Sequence, residues 1–437
     1  SHTLKVTAYS GSDLSGTAGP TYTVHFNVTV LSSGTPTPTP VPTATPIATA
    51  TPAPTSTPVS GGGASTAEPS SYSTPIVISR GGTYSGNWRS TSVDGYAVKV
   101  ATSEPVIIEN SHLAGPGTLI DAVGASSNIT VRNSSFHGYT PNVDNRSRGR
   151  AIDMTTFKNA VIENNFFENT GEVIELNSYV GNQTTETVKV RYNRVKNINM
   201  KYRNSNGAVY GNFVSVGAFM QGNPVNGEIG WNEVINEPGK SVSEDLINFS
   251  FAGGKSSSWF TIHDNYLKGS YHGDVFDPAG SAGGIQIDGE DNTRCAYIEA
   301  YGNSIAQIMN GGMGAAAGRH IYMHDNRVIS SGKDASGRWF PASYAAAWGF
   351  AAYKTDPNPM TDIRIENNVF GWGAQGYQSQ ISGDADRQDY DATGNMFGSM
   401  KNNTEYKPGS TITEADQDNE YQLFRQKVQA AGLHIGP

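Results

Sequence analysis

The chain has 437 residues, among them 50 Gly, 22 Pro, 21 Tyr and a single Cys; hydrophobic residues make up 36%, charged residues 16%, and the formal charge is −9. No run approaches the roughly 18 unbroken apolar residues of a spanning helix, and an acidic chain without a basic stripe excludes a nucleic-acid binder. Cys295 alone builds neither a disulfide framework nor a thiolate zinc site, so a small buried side chain is expected there.

Residues 1–31 hold two alternating runs, Leu4 to Tyr9 and Tyr22 to Val30, joined by a Gly/Ser-rich connection, which predict a hairpin. Two strands bury no core alone, so the pair resembles the last hairpin of an immunoglobulin-like sandwich. Residues 32–71 read as a linker. No Asp, Glu, Lys or Arg lies between Leu31 and Ala67, and Thr-Pro repeats from Thr35 to Pro58 favour an extended polyproline II spacer before Gly61-Gly62-Gly63. This linker style, rather than a leader, is the ground for expecting a secreted or cell-surface bacterial protein.

From Tyr72 to about 410 short β-rich runs end in Asn followed two residues later by an apolar side chain. The frame recurs at Asn165, Asn193, Asn232, Asn265, Asn303, Asn326, Asn368 and Asn395, with Ser111 and Ser134 filling it earlier. Intervals between the asparagines run from 23 to 42 residues, which marks a solenoid coil with loops of variable length. Val106-Ile107-Ile108, Ala160-Val161-Ile162 and Ile363-Arg364-Ile365 are short and β-branched, so the coils are made of strands. An Asn stack at one corner, with asparagine in the left-handed conformation, accounts for the frame. In residues 411–437 Tyr421, Phe424 and Val428 fall at helical spacing between an N-cap at Thr413 and a stop at Gly432, predicting a helix that caps the open end.

Val161 to Asn169 and Asp362 to Phe370 carry the motif in its fullest form. They resemble the right-handed parallel β-helix of the pectate-lyase-like superfamily, in its secreted bacterial members. The fold class implied is all-β, a right-handed parallel β-helix. That resemblance specifies fold strongly and activity weakly.

In such a coil, equivalent positions recur about every 4.8 Å, and outward residues form columns. Aligning the strands by their apolar residues gives the column Asp121, Asp153, Glu175, Gln221, Asn248, Gln286, with Asn177, Ser250 and Asp288 two positions further on and Glu244 and Asp245 at the entrance to one strand. Stacked carboxylates repel, so such a column raises a pKa or recruits a cation. Glycoside hydrolysis uses this arrangement, with Asp153 and Glu175 as acid and base or nucleophile and Asp121, Asp245 and Asp288 tuning charge. Gln221, Asn248 and Gln286 would bind substrate, and Trp348, among small neighbours, would offer a sugar platform. A calcium ion at Glu244, Asp245 and Asp288 is a weaker expectation, and no cofactor is otherwise required.

Calcium-assisted lyase action on a uronate is the alternative; it needs a cation to neutralise the acid and a base, for which Arg150, Lys255 and Arg294 are candidates, although none of the three falls inside the column. A non-catalytic glycan-binding or adhesive surface protein is a third reading. His263, His320 and His324 are expected to pack or face solvent. The expected partner is an extracellular polysaccharide, met by a monomer.

Overall fold

The computed structural model describes residues 2–9, 18–26, 65–205, 207–289, 291–349, 351–352, 358–374 and 397–437. The chain divides into two units, Ser1–Val59 and Ser60–Pro437. In the first, His2–Tyr9 pairs antiparallel with Ala18–Phe26, placing Leu4 opposite Val24 and Val6 opposite Tyr22. Residues 27–30, the end of the expected second strand, lie outside the described residues.

The described residues of the second unit are all-β apart from one helix, with a 20-stranded and an 11-stranded parallel sheet. The pairings sort the strands of the larger sheet into two tracks. The first runs through Tyr96–Val100, Thr118–Asp121, the start of Ile152–Glu163, Ile174–Tyr179, Val214–Gly217, Ile247–Ser250, Ile285–Asp288, Gly311–Ala315 and Ala345–Gly349. The second includes Pro105–Glu109, Ser127–Arg132, Val188–Arg191, Phe260–His263 and Thr361–Glu366. Ile152–Glu163 bends from the first track into the second, pairing with Thr118–Asp121 early and with Ser127–Arg132 late. The smaller sheet is the third track, from Asn87–Arg89 to Thr404–Glu405. Each turn of chain contributes to the tracks in order, so the unit is solenoid-like.

Alternation within each strand sends every second side chain inward. On the first track Val98, Ile120, Ile152, Ile174, Val214, Ile247 and Ile285 stack with no more than 1% exposure. Val131, Ile162, Val190, Ile229 and Ile262 do the same on the second, and Leu113, Phe136, Phe167, Val195, Val234 and Leu267 on the third. Each such aliphatic side chain contributes about 2 kcal/mol on burial, and it contacts mainly the rungs above and below.

Second and third tracks are joined by two residues in all eleven described coils, for example between Arg191 and Arg194 or His263 and Tyr266. The second residue of each pair builds the ladder. Asn165 Nδ2 donates to Asn193 Oδ1 at 3.0 Å, and the pattern continues through Asn232, Asn265, Asn303, Asn326 and Asn368 to Asn403. Each Oδ1 also accepts the preceding rung's backbone N–H, as Asn303 does from Asn265 at 3.1 Å. Ser134 accepts from Ser111 N and donates its own N–H to Asn165 Oδ1. Asn395 lies outside the described residues, and Asn403 holds the eighth Asn position. One expectation is corrected: the left-handed residue is the first of the pair, not the ladder Asn. Asn164, Tyr192, Trp231, Asp264 and Asn367 have φ between 54° and 59°, making the bend that turns the next side chain inward.

The helix spans Glu414–Ala430, with Thr413 as N-cap in a capping box with Asp416. It does not cover an end of the coil. Phe424 and Val428 pack on Tyr266 and Ala306 of the third track, Arg327 forks onto the fully buried Glu420 at 2.7 and 2.8 Å, and Gly436 N reaches Tyr192 O at 2.8 Å. The apolar stripe that predicted the helix finds its match along the side of the stack. At the other end, residues 65–71 are not linker but pack on the same track: Ser135 Oγ donates to Ser65 O at 2.8 Å, and Tyr139 and Tyr72 both donate to Glu68.

Candidate functional site

The outer face of the first track is bordered by long connections on both sides. Residues 139–151, 197–213, 236–246, 271–284 and 331–344 enter it from the third track, and 180–187, 218–227, 251–259 and 289–295 leave it for the second. Of the described residues, the exposed large apolar side chains are Val77, Val123, Val143, Tyr210, Met220 and Leu423. All but Leu423 lie on this track or its borders, with Tyr210 before and Met220 after the rung Val214–Gly217.

Pairing fixes the outward column as Lys99, Asp121, Asp153, Glu175, Ser215, Asn248, Gln286, Gly314 and Trp348. Asp121, Asp153, Glu175, Asn248 and Gln286 thus share one register position, and Asn177, Gly217, Ser250 and Asp288 share the one two residues on. Gln221 is not in the column. Val214-Ser215 forms that rung, and Met220-Gln221 sits in the following connection, because the long 197–213 loop shifts the apparent spacing. Arg150, Lys255 and Arg294 are outside the column, and the basic residue within it is Lys99, 3.3 Å from Asp121, with its Nζ 5.6 Å from the Tyr96 ring centroid.

Three residues before each column position lies a second one, running Arg150, Glu172, Asn212, Asp245, Gly283 and Gly311. Sequence reasoning missed Glu172, although the polar-apolar-apolar-polar tetrads Arg150-Ala151-Ile152-Asp153, Glu172-Val173-Ile174-Glu175 and Asp245-Leu246-Ile247-Asn248 announce it. Arg150 is the hub. Its Nε donates to Glu172 Oε2 at 2.6 Å and its Nη1 to Asp153 Oδ2 at 3.0 Å, and Nη2 lies 4.0 Å from Glu175 Oε2. Thr155 Oγ1 holds Asp153 Oδ1 at 3.0 Å, and Asn177 Nδ2 holds Glu175 Oε1 at 3.2 Å. Gly149 lets these rungs close up, since a Cβ there would meet the Gly117 carbonyl carbon at 2.1 Å.

Glu172 is 4% exposed. Burial, then the neighbouring charge of Glu175, pushes its carboxyl up to about 8 against the pull of Arg150, so it carries a proton at neutral pH and hydrogen-bonds Glu175. Burial opposes the charge of Arg150 too, but Glu172, Asp153 and Glu175 hold its pKa above the usual value. Two rungs further on, burial and then Glu244 raise Asp245 to about 7, while Asn248 Nδ2 donates to its Oδ2 at 3.1 Å. Glu244 is raised by burial and by Asp288. Among the described residues no group of three or more His, Cys, Asp or Glu side chains is placed to hold a metal ion.

Lys255 Nζ donates to Gln183 O at 2.8 Å, Gln183 Nε2 to Gln221 O at 2.8 Å, and Arg294 Nη1 to Met220 O at 3.0 Å. These side chains knit the border loops into a wall. Trp348 occupies the column but does not project from it: its indole lies over Gly314 and Gly311, where a Cβ would come within 2.1 and 2.9 Å of it, and it is 7% exposed. His263, His320 and His324 lie on the second track, each against a carboxylate. Cys295 is buried, which pushes its thiol up to about 12.

No family model matches this chain, and neither a curated protein nor a solved structure matches it.

Proposed function

We propose that the chain is a secreted carbohydrate-active enzyme that hydrolyses glycosidic bonds of a neutral extracellular polysaccharide on the outer face of the first track. The observation that carries this reading is the pair Asp153 and Glu175 on adjacent rungs, joined through Arg150 and backed by a proton-bearing Glu172. One rung is about 4.8 Å, the separation of retaining glycosidases. In this scheme Glu175 protonates the leaving oxygen as the glycosidic C–O bond breaks, and an Asp153 oxygen bonds to the anomeric carbon. The proton that Glu175 gives up comes from Glu172, its hydrogen-bonded neighbour; in the second step Glu175 takes a proton from the water that displaces Asp153 and hands it back to Glu172, which restores the starting state. Tyr210 and Met220, on opposite borders of the next rung, would flank the sugar.

Solenoid-like parallel tracks support a parallel β-helix like that of the pectate-lyase-like superfamily, and parallel crossovers favour the right-handed form. The hairpin at 2–26 fits the tail of an immunoglobulin-like module carried on the same secreted chain. Uronate lyase chemistry is supported less well. Arg150 is held cationic, which makes it a poor base, and Lys255 and Arg294 are engaged in the border wall.

Neutral and acidic polysaccharides incubated with the protein test the reading, with reducing ends and unsaturated-product absorbance followed together. Reducing ends without absorbance are expected from a neutral polymer. Glu175→Gln should lower that turnover at least about 10³-fold with unchanged circular dichroism. Absorbance gained on a uronate would replace hydrolysis by elimination, and binding without either signal would leave a glycan-binding surface.

A further inference from the structure

A cavity of about 490 Å³ opens at the first coil, where the third track turns into the first, lined among others by Tyr72, Arg89, Ser90, Thr91, Ser92 and Tyr96. Its position is not incidental to the acidic face. Tyr96 opens the first-track strand Tyr96–Val100 and pairs with Thr118, while Lys99, beside the Tyr96 ring, reaches Asp121. From Lys99, beside Tyr96, one register position runs through Asp121 and Asp153 to Glu175. Lys99 and Glu175 are three rungs apart, about 14 Å, a reach of roughly three sugar units.

The lining chemistry is that of a sugar pocket. Two tyrosines supply flat apolar walls with a polar edge, and one of them is braced: Arg89 stacks 5.4 Å from the Tyr72 ring centroid, and the Tyr72 hydroxyl donates to Glu68 at 3.1 Å. Serine and threonine hydroxyls, each able to donate and to accept, line the side between them. Among the described residues no carboxylate lines the cavity, and the one cation that does, Arg89, is engaged with an aromatic face. An uncharged, hydroxyl-rich ligand is matched better than a polyanion.

We infer that this cavity is a distal subsite for a neutral oligosaccharide, holding the end of a glycan chain whose scissile bond lies about three sugars away at Asp153 and Glu175. This rests on the proposed function and adds to it the substrate's length and its direction along the coil.

The test uses the full chain carrying Glu175→Gln, so that bound sugar is not consumed. Calorimetric titrations are made with cellohexaose, xylohexaose, mannohexaose, chitohexaose and hexagalacturonate. At least one neutral hexasaccharide is expected to bind, and Tyr96→Ala should weaken it fivefold or more, with Tyr96→Phe restoring most of the loss. Thr91→Trp, which fills the cavity from an exposed position, should weaken it equally without touching the strand. Tyr322→Ala, within the second-track strand Arg319–His324, should change nothing. Unchanged affinity in both Tyr96→Ala and Thr91→Trp would overturn the subsite, as would binding of no neutral hexasaccharide or tightest binding of hexagalacturonate. The underlying reading fails separately. If pocket variants lose affinity while the protein with Glu175 intact releases no reducing ends, the subsite stands and hydrolysis falls.

Discussion

At the two-residue corner an amide recurs on eight successive rungs from Asn165 to Asn403, whereas along the first track a carboxylate recurs on three, Asp121, Asp153 and Glu175, before Ser215 interrupts it. An amide carries both donors and an acceptor, so each copy satisfies the next and the stack can continue indefinitely. A carboxylate only accepts. Its stack needs Lys99 and Arg150 inserted beside it and a proton retained on Glu172, and it stops within a few turns. Equal spacing therefore yields a stabilising ladder in one place and an electrostatically loaded site in the other.

The sharpest way to break this contrast is to remove one rung from each stack. Asn265→Ala should cost about 4 kcal/mol in urea unfolding, because Asn232 N and Nδ2 and Ile229 O all lose a buried partner. Glu172→Gln should cost far less at pH 8 and change the pH profile instead. The folded carboxyl sits near 8 and the unfolded one near 4.3, so the native state binds the extra proton. Stability from this group is complete below about pH 4, declines through the window up to about 8, and the decline should flatten in Glu172→Gln. Asp245→Asn should flatten the lower part, up to about 7. A wild-type stability flat from pH 5 to 8 would refute the loaded site.

Extending the carboxylate run is a third measure: Ser215→Asp, directly opposite Glu175, should destabilise by about 1 kcal/mol at pH 8, whereas Ser215→Ala should stay within about 0.5 kcal/mol. The smallest effect is expected under the strap of residues 65–71. His112 and His137, stacked at 6.3 Å, are both held below the usual histidine value, first by burial. Their contribution is present above about pH 6.5 and lost as pH falls below it, so His137→Gln should reduce the acid-side slope in chemical denaturation.

Much of this could be read from the amino acids because the corner never changes length: Asn193-Arg194-Val195 and Asn265-Tyr266-Leu267 repeat a frame that no loop disturbs. Thr413, Phe424 and Val428 announced the helix, but not the side of the stack on which it lies, since a stripe specifies a partner's polarity and not its location. The column was legible where connections are short, from Asp121 to Glu175, and failed after residues 197–213, where Val214-Ser215 rather than Met220-Gln221 resumes the rung. Glu172 escaped because simple alternation puts it on the inward side with Ile174, whereas its carboxylate meets Arg150 beside the outward column. Trp348 looked roomy among alanines, yet Gly311 and Gly314 below it give its indole a bed instead of an open platform.

A spring made of identical windings ordinarily comes apart one winding at a time, since each knows only its neighbours. The segment from Asp416 to Gly436 is clamped at Tyr406, Arg327, Tyr266 and Tyr192, like a batten nailed across slats. Windings far apart in the stack must then let go together, with Glu175 in the first winding so braced and Asp153 in the one beside it.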